Sequence, residues 1–219
     1  MADELIYTPR EEGFWSFDLG DKILDLSDAL IPAMTQEQSA TYLSPKGFNT
    51  CTLPQFFLVG SKLHGLKDSV DDKVREAVKS AHQFVKQGIR NSWLNTQTRI
   101  SYSPDGQDTI THDYGRANHS INRTNFVGKD GSPENVLSLE SSLALTGRKP
   151  EEVNAIMGYL NGTSNYVWRL NSKPINVDER VVGLIAYSNR FLLSCNGYPQ
   201  GAKASFGVRL REKNKEGSH

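Results

Sequence analysis

The sequence contains few of the features that identify a chemical function directly. Cysteine occurs twice, at Cys51 and Cys195, without a C-x-x-C pair. A structural zinc site built on thiolates is therefore not expected, and both cysteines are predicted to be buried, reduced thiols. The glycine patterns of nucleotide-binding loops and the G-x-S-x-G nucleophile elbow are also missing. We therefore predict neither a cofactor nor a metal.

An excess of charge of one sign is lacking as well. The 25 basic and 25 acidic residues give a formal net charge of 0, so no global field attracts the phosphates of nucleic acid. A local basic patch is still compatible with this balance. Hydrophobic residues make up 37% and charged residues 23% of the chain. These values are typical of a globular protein that forms a core without disulfides.

Long hydrophobic runs are absent too. The longest uncharged apolar run, Val181–Tyr187, is far shorter than the roughly 20 residues that span a bilayer. The first four residues, Met-Ala-Asp-Glu, lack the basic and apolar regions of a signal peptide. We expect a cytoplasmic protein with no membrane partner. Because no linker-like stretch interrupts the chain, residues 1–212 are predicted to form one domain, with 213–219 as a disordered tail.

Helical patterns are concentrated in the first two thirds of the chain. Val70–Trp93 carries apolar residues three and four positions apart, and Ser69 with Asp72 fits a capping box. Thr35–Leu43 has the same type of cap. Two more helices are expected to begin at Ser132-Pro133 and at Pro150, each ended by a glycine.

Other apolar segments are less decisive. Residues 23–31 predict a short helix ended by Pro32, and Pro54–His64 fits either a helix or a buried strand. In the helix that begins at Ser132, we expect Val136, Leu139 and Leu143 to face the core, with Leu137 as a further candidate.

Strand patterns occur before, between and after the helices. One or two short strands are expected before Gly20. Thr96–Ser101 and Asp108–Tyr114 flank a Ser-Pro-Asp-Gly turn, which predicts a hairpin. Four further strand-like segments, separated by asparagine, glycine and proline, predict an antiparallel meander: Tyr166–Leu170, Val181–Tyr187, Arg190–Cys195 and Ser205–Leu210. The predicted fold is α+β, with central helices packed on an antiparallel sheet formed by the mid-chain hairpin and the C-terminal meander.

The stretch Thr111–Thr124 has the highest density of chemically useful side chains. One interpretation is general acid–base catalysis by His112, Asp113 and His119, as in a hydrolase acting on a phosphate ester or nucleic acid. The spacing of the two histidines differs from that of a helical H-E-x-x-H site and no third ligand is evident, so no metal is predicted.

The same stretch has three further interpretations. One is anion binding, because guanidinium groups match phosphate geometry. The binding groups would be Arg116, Arg123 and His119, with Asn118 and Asn122 as hydrogen-bond donors. Tyr114 and Arg116 are also residue types that are frequent in contacts with a protein partner. A plain polar surface loop is the remaining alternative.

The C-terminal segments combine arginines with aromatic residues. Because side chains alternate along a strand, we expect the aromatic residues to lie in the core and the arginines on the solvent face. A nucleic-acid-binding sheet face is the alternative. The arginines are Arg169, Arg180, Arg190, Arg209 and Arg211, and the aromatic residues are Tyr166, Trp168, Phe191 and Phe206.

The closing pattern Arg190-Phe191, Cys195 and Gly207-Val208-Arg209-Leu210 is similar to the last strands of formylglycine-generating-enzyme-like domains, which have a C-type-lectin-like fold. The paired catalytic cysteines of that family have no counterpart, so the resemblance implies no activity here. The leading functional hypothesis is a binding protein for an anion, nucleic acid or protein partner, and the alternative is the hydrolase described above.

Overall fold

The computed structural model describes residues 13–112, 129–169 and 173–213, and for residues 120–125 it describes the backbone alone. These residues form ten strands, six α-helices and a 3-10 turn at Ser44–Lys46. The helices are α1 (Gln36–Leu43), α2 (Leu53–Leu66), α3 (Asp72–Asn91), α4 (Pro133–Val136), α5 (Leu139–Thr146) and α6 (Pro150–Asn161). The strands are β1 (Phe14–Asp18), β2 (Lys22–Met34), β3 (Asn49–Thr50), β4 (Leu94–Tyr102), β5 (Gln107–His112), β6 (Ser120–Asn125), β7 (Ser164–Trp168), β8 (Asp178–Ala186), β9 (Arg190–Gly197) and β10 (Lys203–Glu212).

The α+β class is confirmed, but the sheet is arranged differently from the prediction. Its order is β1-β2-β10-β4-β8-β9-β7, with β3 beside β10 and with β5 and β6 extending from β4. The C-terminal strands do not form a meander. Strand β7 runs parallel to β9, and β10 pairs antiparallel with the N-terminal strand β2. The sheet is therefore mixed, and strands from opposite ends of the chain, β2 and β10, are neighbours in it.

The predicted helix over residues 23–31 is wrong, because this segment belongs to strand β2. Ile23, Leu24 and Leu26 are buried, and so is Asp25 between them. A strand covered on both faces reads as a continuous apolar run, which periodicity does not separate from a short helix. Both faces of β2 are covered over residues 23–26, because four consecutive residues are buried there.

The helix that begins at Ser132 is broken in two. Leu137 and Ser138 are extended, and the Ser138 hydroxyl accepts a hydrogen bond from the Ser141 amide, which starts α5 as a new helix. The break changes which side chains face inward. Leu137 and Leu145 are buried, whereas Leu139 and Leu143 are exposed, contrary to the prediction for the last two.

Several local predictions are confirmed. Thr35 and Gln38 form a capping box at α1, and the predicted hairpin is β4–β5. Pro54–His64 lies within α2. Helix α3 has the expected buried stripe, although Asp71 caps it instead of Ser69. Gly147 and Gly162 end α5 and α6 with positive φ angles of 69° and 72°. Both cysteines are free and buried.

The core lies between the sheet and α2, α3 and α6. Phe56 of α2 stacks on Phe206 of β10, with ring centroids 6.1 Å apart, and Phe84 of α3 contacts Trp15 of β1 at 5.0 Å. Since successive side chains of a strand point to opposite faces, Ser16 and Asp25 lie on the other side of the sheet, which we call the outer face. Among the described residues, no helix is long and apolar enough to cross a membrane.

Candidate functional site

Three strands place a group of polar side chains on the outer face. In the antiparallel registers, Asp25 of β2 lies opposite Ser16 of β1 on one side and opposite Arg209 of β10 on the other. Arg211 is two residues beyond Arg209 and therefore points to the same face. Strand pairing alone thus brings these four side chains together, from segments at opposite ends of the chain.

Asp25 is the centre of this group. Its side chain is fully buried, and it accepts a hydrogen bond of 2.7 Å from the Ser16 hydroxyl. Its Oδ2 atom accepts from Nε and Nη2 of Arg209 at 2.9 and 2.7 Å, and from Nε of Arg211 at 2.9 Å. A buried carboxylate is tolerated when it is paired and hydrogen-bonded in this way.

Aromatic rings hold the Arg209 guanidinium in place. Its central carbon lies 4.8 Å from the ring centroid of Phe14 and 4.9 Å from that of Phe48. Guanidinium groups stack well on aromatic faces. Arg209 is therefore fixed both by its hydrogen bonds to Asp25 and by two ring contacts.

The charges of this group do not cancel. Two guanidinium charges face one carboxylate, which leaves one positive charge in surplus. Among the described residues, Asp25 is the only acidic side chain within ion-pair distance of Arg209 or Arg211. Their side chains are 31% and 36% exposed. We call Arg209 and Arg211 the arginine pair.

Neighbouring acidic groups already have cationic partners. Asp18 lies 2.5 Å from the Lys213 ammonium, and Glu212 lies 3.8 Å from that of Lys22. The pKa of Asp18 is lowered by the hydrogen bond from Lys213 and by a second one from the Gly20 amide. Asp18 therefore keeps its charge for Lys213, and within the part of the chain that the structure describes the positive surplus of the arginine pair is not neutralised.

A mostly apolar cavity of about 210 Å³ lies next to the arginine pair on the outer face. It is formed between β2 and the segment that runs from α1 to Phe48. Phe48 belongs to both features, because it lines the cavity and stacks on Arg209. A side-chain group with a surplus positive charge and an apolar cavity are thus adjacent.

His112 is placed in the interior. It ends β5 and is buried, with Nδ1 2.9 Å from the Thr98 hydroxyl and Nε2 2.9 Å from the Ala144 carbonyl oxygen. The Thr98 hydroxyl also accepts from the Leu53 amide at 2.9 Å. A neutral imidazole protonated at Nε2 satisfies all of these bonds, with Thr98 donating to Nδ1. In this arrangement His112 links β4, β5 and α5.

Most other residues of the dense stretch lie outside the described residues. This applies to Asp113, Tyr114, Arg116, Asn118 and His119. The backbone of Arg123 is in β6, opposite Thr109 of β5. The predicted grouping of these side chains is therefore still a prediction.

The C-terminal arginines do not all lie at the surface. Arg169 was expected on the solvent face, but its side chain is 1% exposed and forms an ion pair of 3.0 Å with the buried Asp108. Phe191 and Phe206 are in the core as expected, whereas Tyr166 and Trp168 are half-buried. Alternation predicts which face a side chain is on, but which face is covered depends on the surrounding elements.

Sequence reasoning named Arg209 and Arg211 but missed Ser16, Asp25, Phe14 and Phe48. One signal was available, since Asp25 interrupts the apolar run Ile23-Leu24-Asp25-Leu26. A carboxylate inside a buried strand requires a cationic partner. The partner itself could not be named, because Asp25 and Arg209 are 184 positions apart.

No protein-family model, no curated protein and no solved structure matches the chain. The similarity of the closing strands to formylglycine-generating-enzyme-like domains therefore gains no support. The chemistry of the outer face is what indicates a function.

Proposed function

We propose that the protein binds a phosphate-bearing ligand and that the arginine pair holds its anionic group. The observation that carries this proposal is the anchoring of two partly exposed guanidiniums on one buried carboxylate. Asp25 needs one counter-charge, and the second arginine supplies a positive charge that the described residues do not neutralise. A bound anion would balance it.

The geometry suits phosphate for a second reason. Both arginines direct Nε and Nη2 toward Asp25, which leaves their Nη1 groups to donate to a ligand. Guanidinium groups form two parallel hydrogen bonds to phosphate, and a fixed donor loses less conformational entropy on binding. The ligand could be free phosphate or a phosphate of nucleic acid, since the same oxygens would be recognised.

Two features predicted from the sequence remain part of this proposal. Tyr114, Arg116, Asn118 and Arg123 form a second predicted anion-binding or partner-binding group. In the sequence they lie between β5 and β6 or within β6, and these two strands extend from β4, away from the pairing of β2 with β10. A cytoplasmic location and one domain over residues 1–212 are also retained.

The hydrolase alternative, with His112, Asp113 and His119 as catalytic residues, stays a prediction. No observation favours it over binding, because both ring nitrogens of His112 are hydrogen-bonded within the fold. A general base needs a nitrogen that reaches the substrate proton.

Calorimetric titration at low salt tests the binding proposal. Inorganic phosphate is one titrant, and a short single-stranded oligonucleotide is the other. Arg211→Gln removes one guanidinium while Asp25 stays paired with Arg209, and we expect the affinity to fall about tenfold, the typical effect of a lost charged hydrogen bond. The affinity of the parent protein should also fall as salt is added.

The matched control is Arg190→Gln, which removes an exposed arginine of β9. This change should leave the affinity unaltered. An equal loss of affinity in both variants would indicate non-specific electrostatic attraction. If the protein binds neither titrant, the proposal is wrong. Preference for the oligonucleotide over inorganic phosphate would identify nucleic acid as the source of the bound group.

A further inference from the structure

The cavity beside the arginine pair has the chemistry of a binding site for an apolar group. Its wall contains Leu30, Ile31 and Leu43, and Tyr42 and Lys46 stand among the lining residues. Tyr42 is 43% exposed, so its side chain is accessible to a ligand. Phe48 provides a second aromatic ring.

The polar groups of the cavity are few and mostly engaged. The Ser27 hydroxyl donates to the Ala29 carbonyl at 2.8 Å and accepts from the Gly207 amide at 3.3 Å. The Lys46 ammonium lies 3.7 Å from the centroid of the Tyr42 ring, a cation–π contact that keeps a positive charge at this site. The cavity therefore suits an apolar body that carries a negative charge.

The volume of the cavity limits the size of the apolar group that it can hold. The cavity measures about 210 Å³, and cavities on the order of 150 Å³ accommodate a benzene ring. One aromatic ring therefore fits, and aromatic rings pack favourably against tyrosine and phenylalanine faces. Phe48 lines the cavity and its ring centroid lies 4.9 Å from the Arg209 guanidinium carbon, so the cavity and Arg209 are neighbours.

We propose that the ligand is an aryl phosphate, with its single aromatic ring in the cavity between Tyr42 and Phe48 and its phosphate on the arginine pair. This inference rests on the proposed function, because the same arginines hold the anion. The inference adds that the aromatic ring of the ligand contributes affinity through the cavity, which is separate from the arginine pair.

The test compares three small probes by calorimetric titration of the full chain. These are inorganic phosphate, phenyl phosphate and phenol. We expect phenyl phosphate to bind at least tenfold more tightly than inorganic phosphate, and phenol to bind most weakly because it lacks the charged group. Arg211→Gln should weaken inorganic phosphate and phenyl phosphate by a similar factor.

Two variants test the cavity itself. Ala29→Leu places a larger side chain into the cavity from an exposed position of β2, and Tyr42→Ala removes one ring. Each should reduce the affinity for phenyl phosphate toward that for inorganic phosphate, while the affinity for inorganic phosphate stays unchanged. Ala202→Leu, at another exposed alanine, is the matched control and should change neither affinity.

The outcomes separate this inference from the proposed function. If inorganic phosphate binds through Arg211 but phenyl phosphate binds no more tightly, the aryl phosphate inference is wrong and the proposed function stands. A tighter phenyl phosphate complex that resists both cavity variants also overturns the inference. If neither phosphate compound binds, the proposed function itself fails.

Discussion

The ion pair between Asp108 and Arg169 is the most deeply buried pair of opposite charges that the described residues contain. The side chains are 0% and 1% exposed, and two hydrogen bonds of 3.0 and 3.3 Å join them. The Arg169 guanidinium also lies 4.1 Å from the centroid of the Tyr102 ring. Removing one partner of such a pair leaves an uncompensated charge in the interior, which is more damaging than losing the attraction itself.

We therefore expect Asp108→Asn to lower the free energy of unfolding by roughly 3–5 kcal/mol. Urea unfolding followed by circular dichroism measures this change. Glu212→Gln is the control, because it breaks an ion pair in which both partners are exposed, and such pairs contribute between 0 and about 1 kcal/mol. If the two variants lost the same free energy of unfolding, burial would not explain the contribution of the Asp108–Arg169 ion pair.

At the scale of single residues, the sequence shows which side chains are unusual at their position, but it does not show which residues they contact. Arg169 directly follows Trp168, and alternation predicted Trp168 in the core and Arg169 on the solvent face, yet Arg169 is buried and Trp168 is only half-buried. Alternation does not show that Asp108, 61 positions away, lies on the same side and needs a cation. The same limit applies to Asp25 in the candidate site. A buried charge can be recognised in the sequence as unusual, but its partner depends on which strands are adjacent.

Packing between helices α2 and α6 depends on a glycine. A Cβ atom added to Gly60 would lie 2.5 Å from Cγ2 of Ile156 and 3.5 Å from Cδ1 of Leu160. Ile156 is β-branched and has little rotamer freedom in a helix, so it cannot easily move away. Gly65 in the same helix has nothing within 4 Å of an added Cβ. The two glycines therefore form a matched pair.

We expect Gly60→Ala to destabilise the protein. The overpacking should cost roughly 1–3 kcal/mol, which exceeds the gain of about 1 kcal/mol in helix propensity. Gly65→Ala should raise stability by up to about 1 kcal/mol, since it gains propensity without a clash. Midpoints of thermal unfolding report both changes. If the two variants were stabilised equally, the close approach of α2 to α6 would be wrong.

Elements with strong local signals were predictable, and the others were not. Helices α1, α3 and α6 and the β4–β5 hairpin have caps, a periodic stripe or a turn sequence of their own. Strand β2 has no such signal, because it is buried between two neighbours and its apolar residues are continuous. Strand β6 was missed for the opposite reason, since its sequence is polar and lacks a clear alternation.

At the scale of the whole molecule, the sheet decides where the candidate site lies. Strand β10 comes last in the chain, yet it pairs with β2, the second strand, and also touches β4. This long-range pairing brings Arg209 and Arg211 to Asp25. Hydrophobic patterns predict that strands exist and which face is apolar, but many strand orders satisfy the same pattern. The candidate site therefore could not be assembled from the sequence.

The two cysteines report on whether this sheet unfolds as one unit. Cys51 follows β3 and Cys195 lies in β9, and their side chains are 2% and 0% exposed. Burial raises the pKa of Cys195 to about 12 and raises that of Cys51 well above its ordinary value. Because the thiolate is the reactive form, neither cysteine should react with a thiol reagent at neutral pH while the protein is folded.

If residues 1–212 form one cooperative domain, both thiols should become reactive at the same urea concentration, and this should coincide with the transition seen by circular dichroism. The single variants Cys51→Ser and Cys195→Ser, treated with a chromogenic disulfide reagent, assign the reactivity to each site. Reaction of one thiol well below the unfolding midpoint would show that its half of the sheet opens separately.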